Sequence, residues 1–277
     1  MNLEELLADG SWRLETPEAA EFRLAPDTAG RRGALVERIL GAPEPDPELW
    51  ESALIEAFLS HPAAAGLRML RLEMTDFHHS ARRAASILGS RPLPALTDLW
   101  FGHRFTYLYE NANTSTGRTF DPLDHYDEGF AGHAEWQNLT ALRNLTVEGA
   151  LLFHSVSAPA VTNLRSHGVF GSDGSVFPSP QPSLTHLELE IATDVFGTPC
   201  PVEQLEQLTV ESFPALRSLD LGRAEFDASN HEVLATLAEL PILAQLQSLR
   251  VAGLDPDDDE WTPIAPRFGH LTLTSAD

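Results

Sequence analysis

One frame recurs seven times along this chain, and it limits what most of the residues can become. FPALRSLDLGRAEF at 213–226 can be laid over LPALTDLWFGHRF at 93–105 with the apolar positions in phase. The frame returns as AGLRMLRLEMTDF from Ala65, TALRNLTVEGALL from Thr140, PAVTNLRSHGVF from Pro159, PSLTHLELEIATDVF from Pro182 and QLQSLRVAGL from Gln245. In Leu-x-x-Leu-x-Leu the fourth and sixth positions lie on one side of an extended backbone, because side chains alternate across a strand. A strand this short cannot bury its own apolar side, so successive copies must stack in parallel around a shared core.

The intervals between copies set what can connect them. Leu67 to Leu96 is 29 residues, and Leu184 to Leu216 and Leu216 to Leu246 are 32 and 30, which leaves room for a strand and a full helix. Leu142 to Val161 is 19 and Val161 to Leu184 is 23, so these repeats must return through loops or a single turn. The clearest helices are 80–88, ended by Gly89, and 230–240, closed by Pro241. The last strand is placed at 268–274, after the acidic run 255–260.

Two regions fall outside the frame. Residues 1–45 read as an N-terminal cap, with a short helix on Leu3, Leu6 and Leu7 and strands at WRLET and EFRLA. A cap is needed because the first strand of an array otherwise exposes an unpaired edge and an open core. The array itself is assigned to 46–277, starting with a helix from Pro47 to about Ser60 that Asp46 would cap. Within it, 106–137 breaks the periodicity. This insertion is too rich in aromatics for a disordered segment, so it is expected to fold against the rim of the concave sheet face near Trp100, bringing Tyr107, Tyr109, Tyr126 and Trp136 with it.

Composition narrows the function classes. Net charge is −23, from 41 acids against 18 bases, all of them arginine, which disfavours nucleic acid and anionic membranes and favours a basic partner. No apolar run is long enough to span a bilayer, and the first residues lack the basic, then apolar, pattern of a secretory signal. A single cysteine, Cys200, suits a reducing compartment, so a cytoplasmic location is expected.

Catalytic signatures are weak. His78, His79, Asp121, Asp124, His125, Asp127 and His133 match no recognised ligand spacing, and the 255–260 run lacks the glycine and final glutamate of a calcium loop. Cys200 sits between two prolines with no neighbouring base to activate it. The expectation is therefore a non-enzyme without metal or cofactor. An unrecognised enzyme or metal site in the insertion is the alternative from another class.

With these residues in hand, the chain resembles the bacterial cytoplasmic leucine-rich-repeat proteins with longer, ribonuclease-inhibitor-like repeats, over roughly 67–253 and on blocks such as LPALTDLWFG, LRNLTVEG and FPALRSLDLG. It departs from them where an Asn or Cys normally holds the turn after each strand: those positions are Thr75, Arg104, Ala150, Ala192, Ala224 and Leu254. The resemblance implies an α/β leucine-rich-repeat solenoid that binds another protein on its concave sheet, and an acidic inhibitor or immunity protein for a basic toxin or nuclease is the alternative within binding. If positions one, four and six point inward, three and five face the concave side. They are Met69 and Arg71, Asp98 and Trp100, Asn144 and Thr146, Asn163 and Arg165, His186 and Glu188, Ser218 and Asp220, Ser248 and Arg250, His270 and Thr272. The expected partner-binding set is Met69, Arg71, Asp98, Trp100, Arg165, His186, Glu188, Asp220 and Arg250, with Tyr107 and Tyr109 of the insertion. Trp100 is the expected anchor.

Overall fold

A computed structural model describes residues 2–8, 10–23, 29–43, 49–75, 79–104, 112–113, 119–120, 133–151, 155–169, 180–193, 197–254 and 261–276. In chain order the elements are α1 (Leu3–Leu7), β1 (Trp12–Thr16), β2 (Ala19–Arg23), α2 (Ala29–Leu40), α3 (Trp50–Leu59), β3 (Met69–Glu73), α4 (His79–Ser90) and β4 (Asp98–Gly102). Then come β5 (Ala112–Asn113), β6 (Thr119–Phe120), β7 (His133–Glu135), β8 (Asn144–Leu151), β9 (Ser155–Ser157), β10 (Asn163–Val169), β11 (His186–Ala192) and β12 (Ser218–Leu221). The chain continues through α5 (Asn230–Glu239), β13 (Ser248–Ala252), α6 (Ala265–Phe268) and β14 (Thr272–Ala276).

Ten strands form one sheet in the order β1-β2-β3-β4-β8-β10-β11-β12-β13-β14, parallel throughout except for the antiparallel β1–β2 pair. Each strand lies beside its predecessor, as the repeat demands. The inward positions of the frame are the core: Leu70, Leu72, Leu99, Phe101, Leu145, Val147, Leu187, Leu189, Leu219, Leu221, Leu249 and Val251 are all buried. Alternate residues form the other, open face.

The N-terminal residues join this sheet. β2 pairs with β3 in parallel from Ala19↔Met69 to Arg23↔Glu73, so the strand begins two residues before EFRLA. Trp12 stacks on Phe58 at 3.9 Å and an interplanar angle of 19°. Its indole N–H donates to the Leu54 carbonyl, which fastens β1 to α3. α2 is an element the residue pattern did not predict, and α3 runs Trp50–Leu59; the expected cap at Asp46 and first turn at Pro47 lie outside the described residues.

Other differences have local causes. Gly89 lies inside α4 and does not end it; a Cβ there would fall 2.3 Å from the Glu135 carbonyl, so the glycine lets β7 approach the helix. The long interval between β11 and β12 holds a 3-10 turn at Val202–Gln207 in place of a full helix. In the final repeat Ser248 pairs with Thr272 and Arg250 with Thr274, two residues later than the frame predicts. Phe268 closes α6, and the His270 ring hydrogen-bonds the Leu243 carbonyl at 3.0 Å, so neither belongs to the strand.

The turns that lack the Asn or Cys are held one by one. Glu51, buried on α3, accepts from Thr75 N–H at 3.0 Å and from its hydroxyl at 2.6 Å. The Glu225 carboxylate takes Thr193 N–H and the Ser275 hydroxyl takes Leu254 N–H, while farther along its connection the 3-10 turn is held by Val202 N–H donating to Asp227. At the end of β4, Gly102 has φ +147° and its carbonyl accepts from Met74 N–H at 2.7 Å. There the His103 N–H donates to the Glu148 carbonyl at 2.7 Å, and the buried ring uses Nδ1–H to donate to Met74 O.

Candidate functional site: the open face of the sheet

Strand register aligns the outward residues into rows. One row runs Ala19, Met69, Asp98, Asn144, Asn163, His186, Ser218, Ser248 and Thr272. Beside it run Glu21, Arg71, Trp100, Thr146, Arg165, Glu188, Asp220, Arg250 and Thr274. The nine expected sheet residues from Met69 to Arg250 all fall in these two rows. Tyr107 and Tyr109 lie outside the described residues, as do the acids and histidine at 121–127, candidate metal ligands that match no ligand spacing.

A third row, Arg23, Glu73, Gly102, Glu148, His167 and Glu190, was not expected from the frame. Leu-x-x-Leu-x-Leu ends one position too soon to include it. The available signal was continued alternation beyond the sixth position, as in HLELEIA, where burial alternates through Ile191 to the end of β11.

The rows are stitched by polar contacts. Asn144 donates to Asp98 at 2.6 Å, Asn163 to Asn144 at 2.8 Å, and Ser248 to Ser218 at 2.8 Å. Glu73, 1% exposed, receives Arg104 at 2.7 Å, Arg71 at 3.2 Å and Arg23 at 3.3 Å. Further along, Arg165 reaches Glu188 at 3.0 Å and Glu190 at 2.9 Å, Arg223 reaches Glu190 at 3.5 Å, and Arg250 reaches Asp220 at 3.2 Å. Of the seven carboxylates on the three rows, Glu21, Glu73, Glu188, Glu190 and Asp220 are thus met by six arginines, while Asp98 accepts from Asn144 and Thr97 and Glu148 faces His167.

His167 stands between two carboxylates, with Nε2 3.5 Å from Glu190 and Nδ1 3.9 Å from Glu148. Burial lowers its pKa, outweighing the opposite pull of Glu190 and Glu148. For Arg165 the balance is reversed: burial disfavours the charge, but the hydrogen bond to Glu190 and the surrounding glutamates raise the pKa. Both carboxylates that could serve His167 are therefore drawn into a guanidinium-bound network or held at its edge, a poor arrangement for general-base work.

At the β2–β4 end the face is different. Met69 is 54% exposed, and Trp100 is half-buried with the Arg71 guanidinium 3.8 Å from its ring centroid. Small Ala19 beside Met69 leaves a groove of about 250 Å³, also lined by Glu15, Glu21 and Asp98. Trp136, expected near Trp100, is instead fully buried behind the sheet: its indole donates to Ala85 O at 3.0 Å and its ring meets Phe101 edge-on at 5.5 Å. The end of the insertion thus packs on α4, because an indole gains more from the core than from a rim.

Elsewhere, Cys200 is buried and its thiol pKa is pushed up to about 12 by burial and by Asp227, so it is not an activated nucleophile. Among the described residues no cluster of three His, Cys, Asp or Glu side chains could hold a metal ion, and no helix is long and apolar enough to cross a membrane. Nothing matches this chain among protein-family models, curated proteins or solved structures.

Proposed function

We propose that the chain is a leucine-rich-repeat solenoid that recognises another protein without catalysis, through the open, concave face of its sheet. The observation that carries this reading is the groove beside Met69 and Trp100. An exposed methionine next to a half-buried tryptophan, in a recess of about 250 Å³, is a place for one inserted side chain. Filling it would remove apolar surface from water at about 25 cal/mol per Å². Met and Trp are also the residue types enriched at interface centres. The charged residues around it form the polar rim such an interface needs, and the network on Glu73, Glu188 and Glu190 holds the surface rigid before binding.

The test is site-specific photocrosslinking in native lysate, with a benzophenone side chain placed at 69 or, as a control behind the sheet, at 206. A discrete adduct from position 69, absent from 206 and lost when Trp100 is changed to Ala, is the expected result. Equal labelling at both positions, or an adduct at 69 indifferent to Trp100→Ala, overturns the proposal.

A further inference from the structure

The groove at β2–β4 is chemically lopsided. Along the starting ends of these strands the register runs Ala19, Met69, Asp98. Glu15 flanks Ala19 and Ala20 on the antiparallel edge strand. Asp98 already accepts from Asn144 and Thr97 and so is fixed in place. Glu15 is exposed and has no hydrogen-bond or ion-pair partner among the described residues. Glu21 shares Arg71 with Glu73, at 3.4 and 3.2 Å. The only guanidinium lining the groove among the described residues is therefore neutralised, and the recess keeps an apolar floor with carboxylates at its mouth.

From this geometry we propose that the groove receives a long basic side chain, lysine or arginine, from the partner protein. Its methylene stem lies along Met69 and Trp100, and its cation ends between Glu15 and Asp98. A wholly apolar side chain would fill the same volume but leave these carboxylates less hydrated and unpaired, a cost that the basic side chain turns into attraction. An acidic side chain would meet them directly. The net charge of −23 adds attraction for such a partner at long range. This inference rests on the recognition reading above and specifies what enters the groove.

The experiment is methyl NMR on protein carrying 13C-methyl methionine, titrated with capped five-residue Gly-Ser peptides whose central residue is Arg, Lys, Leu or Glu. Met69 reports the groove, and Met74, fully buried, reports the fold. The Arg and Lys peptides should shift Met69 alone, with affinity about tenfold above the Leu and Glu peptides. The double change Glu15→Gln and Asp98→Asn should remove that preference while leaving the Met74 signal in place. A Leu peptide that binds as well as Arg, a preference that survives the double change, or no shift with either basic peptide overturns the inference. If the position-69 adduct nevertheless forms, the recognition reading stands and only the choice of side chain fails.

Discussion

Arg71 and Trp100 are register partners on adjacent parallel strands, and the guanidinium of the first covers the indole of the second at 3.8 Å. Arg71 is itself held by Glu21 and Glu73, so the ring is pinned through an ion-paired neighbour. Changing each residue to Ala singly and together should give a coupling of about 0.5–1 kcal/mol in urea unfolding. Trp100→Ala should remain folded, since the ring faces outward. Coupling near zero would show that the stacked pair contributes nothing in solution.

Glu73 is the buried hub of three arginines that are themselves partly solvated. Glu73→Gln should cost about 2 kcal/mol, because charge-assisted hydrogen bonds are lost while the guanidiniums keep much of their hydration. Glu188→Gln, at a more exposed pair, should cost under about 1 kcal/mol. Chemical denaturation of both variants checks the order, and equal costs would remove Glu73 from its place as hub.

Gly102 occupies a backbone conformation that side chains disfavour, and an added Cβ would sit 1.7 Å from the Glu148 carbonyl. Gly102→Ala should therefore destabilise by more than about 3 kcal/mol, since strand β4 must move away from β8. Gly66→Ala, where a Cβ meets nothing within 4 Å, should be neutral or stabilising by about 0.5 kcal/mol. Thermal melts of the two variants distinguish a steric requirement from a general cost of losing glycine.

His103 is fully buried, and burial lowers its pKa from 6.5 to about 3 despite the hydrogen bond to Met74. The unfolded chain binds this proton first as pH falls, so the contribution to stability is whole above about 6.5 and declines toward about 3. Between pH 7.5 and 4.5 the parent should lose about 2–3 kcal/mol more than His103→Gln, whose amide can still donate to Met74 O. Parallel pH profiles for the two proteins would show that His103 does not set the acid limit.

The rows of the open face were legible from seven phased copies because a period of two leaves no freedom once the inward leucines are known. That is why Met69, Arg71, Asp98, Trp100 and Arg250 lie where the frame places them. The frame failed in the last repeat, where LTLTSA alternates apolar and polar residues so evenly that a slip of two costs no burial at the level of sequence. Phe268 then looked like a strand position, though α6 carries it. Row three was hidden for a different reason: Glu148, His167 and Glu190 follow the motif, and no leucine marks the register beyond it. The groove was only half visible. Trp100 stood out and Met69 fell among the expected face residues, but their recess depends on Ala19, which belongs to a strand outside the repeat, and Trp136 was misplaced because nothing in its neighbourhood fixes which side of the sheet it takes.

The separately held turns make the copies poor interchangeable parts. An array with one repeated asparagine could gain or lose a unit without disturbing the rest, as each unit would carry the same fastening. In this chain the fastening often belongs to the following unit: Glu225 secures Thr193, Asp227 secures Val202, and Ser275 secures Leu254. Excising a repeat would therefore also undo the turn before it, and shortening the chain from its last strand would loosen one more turn than the residues removed contain.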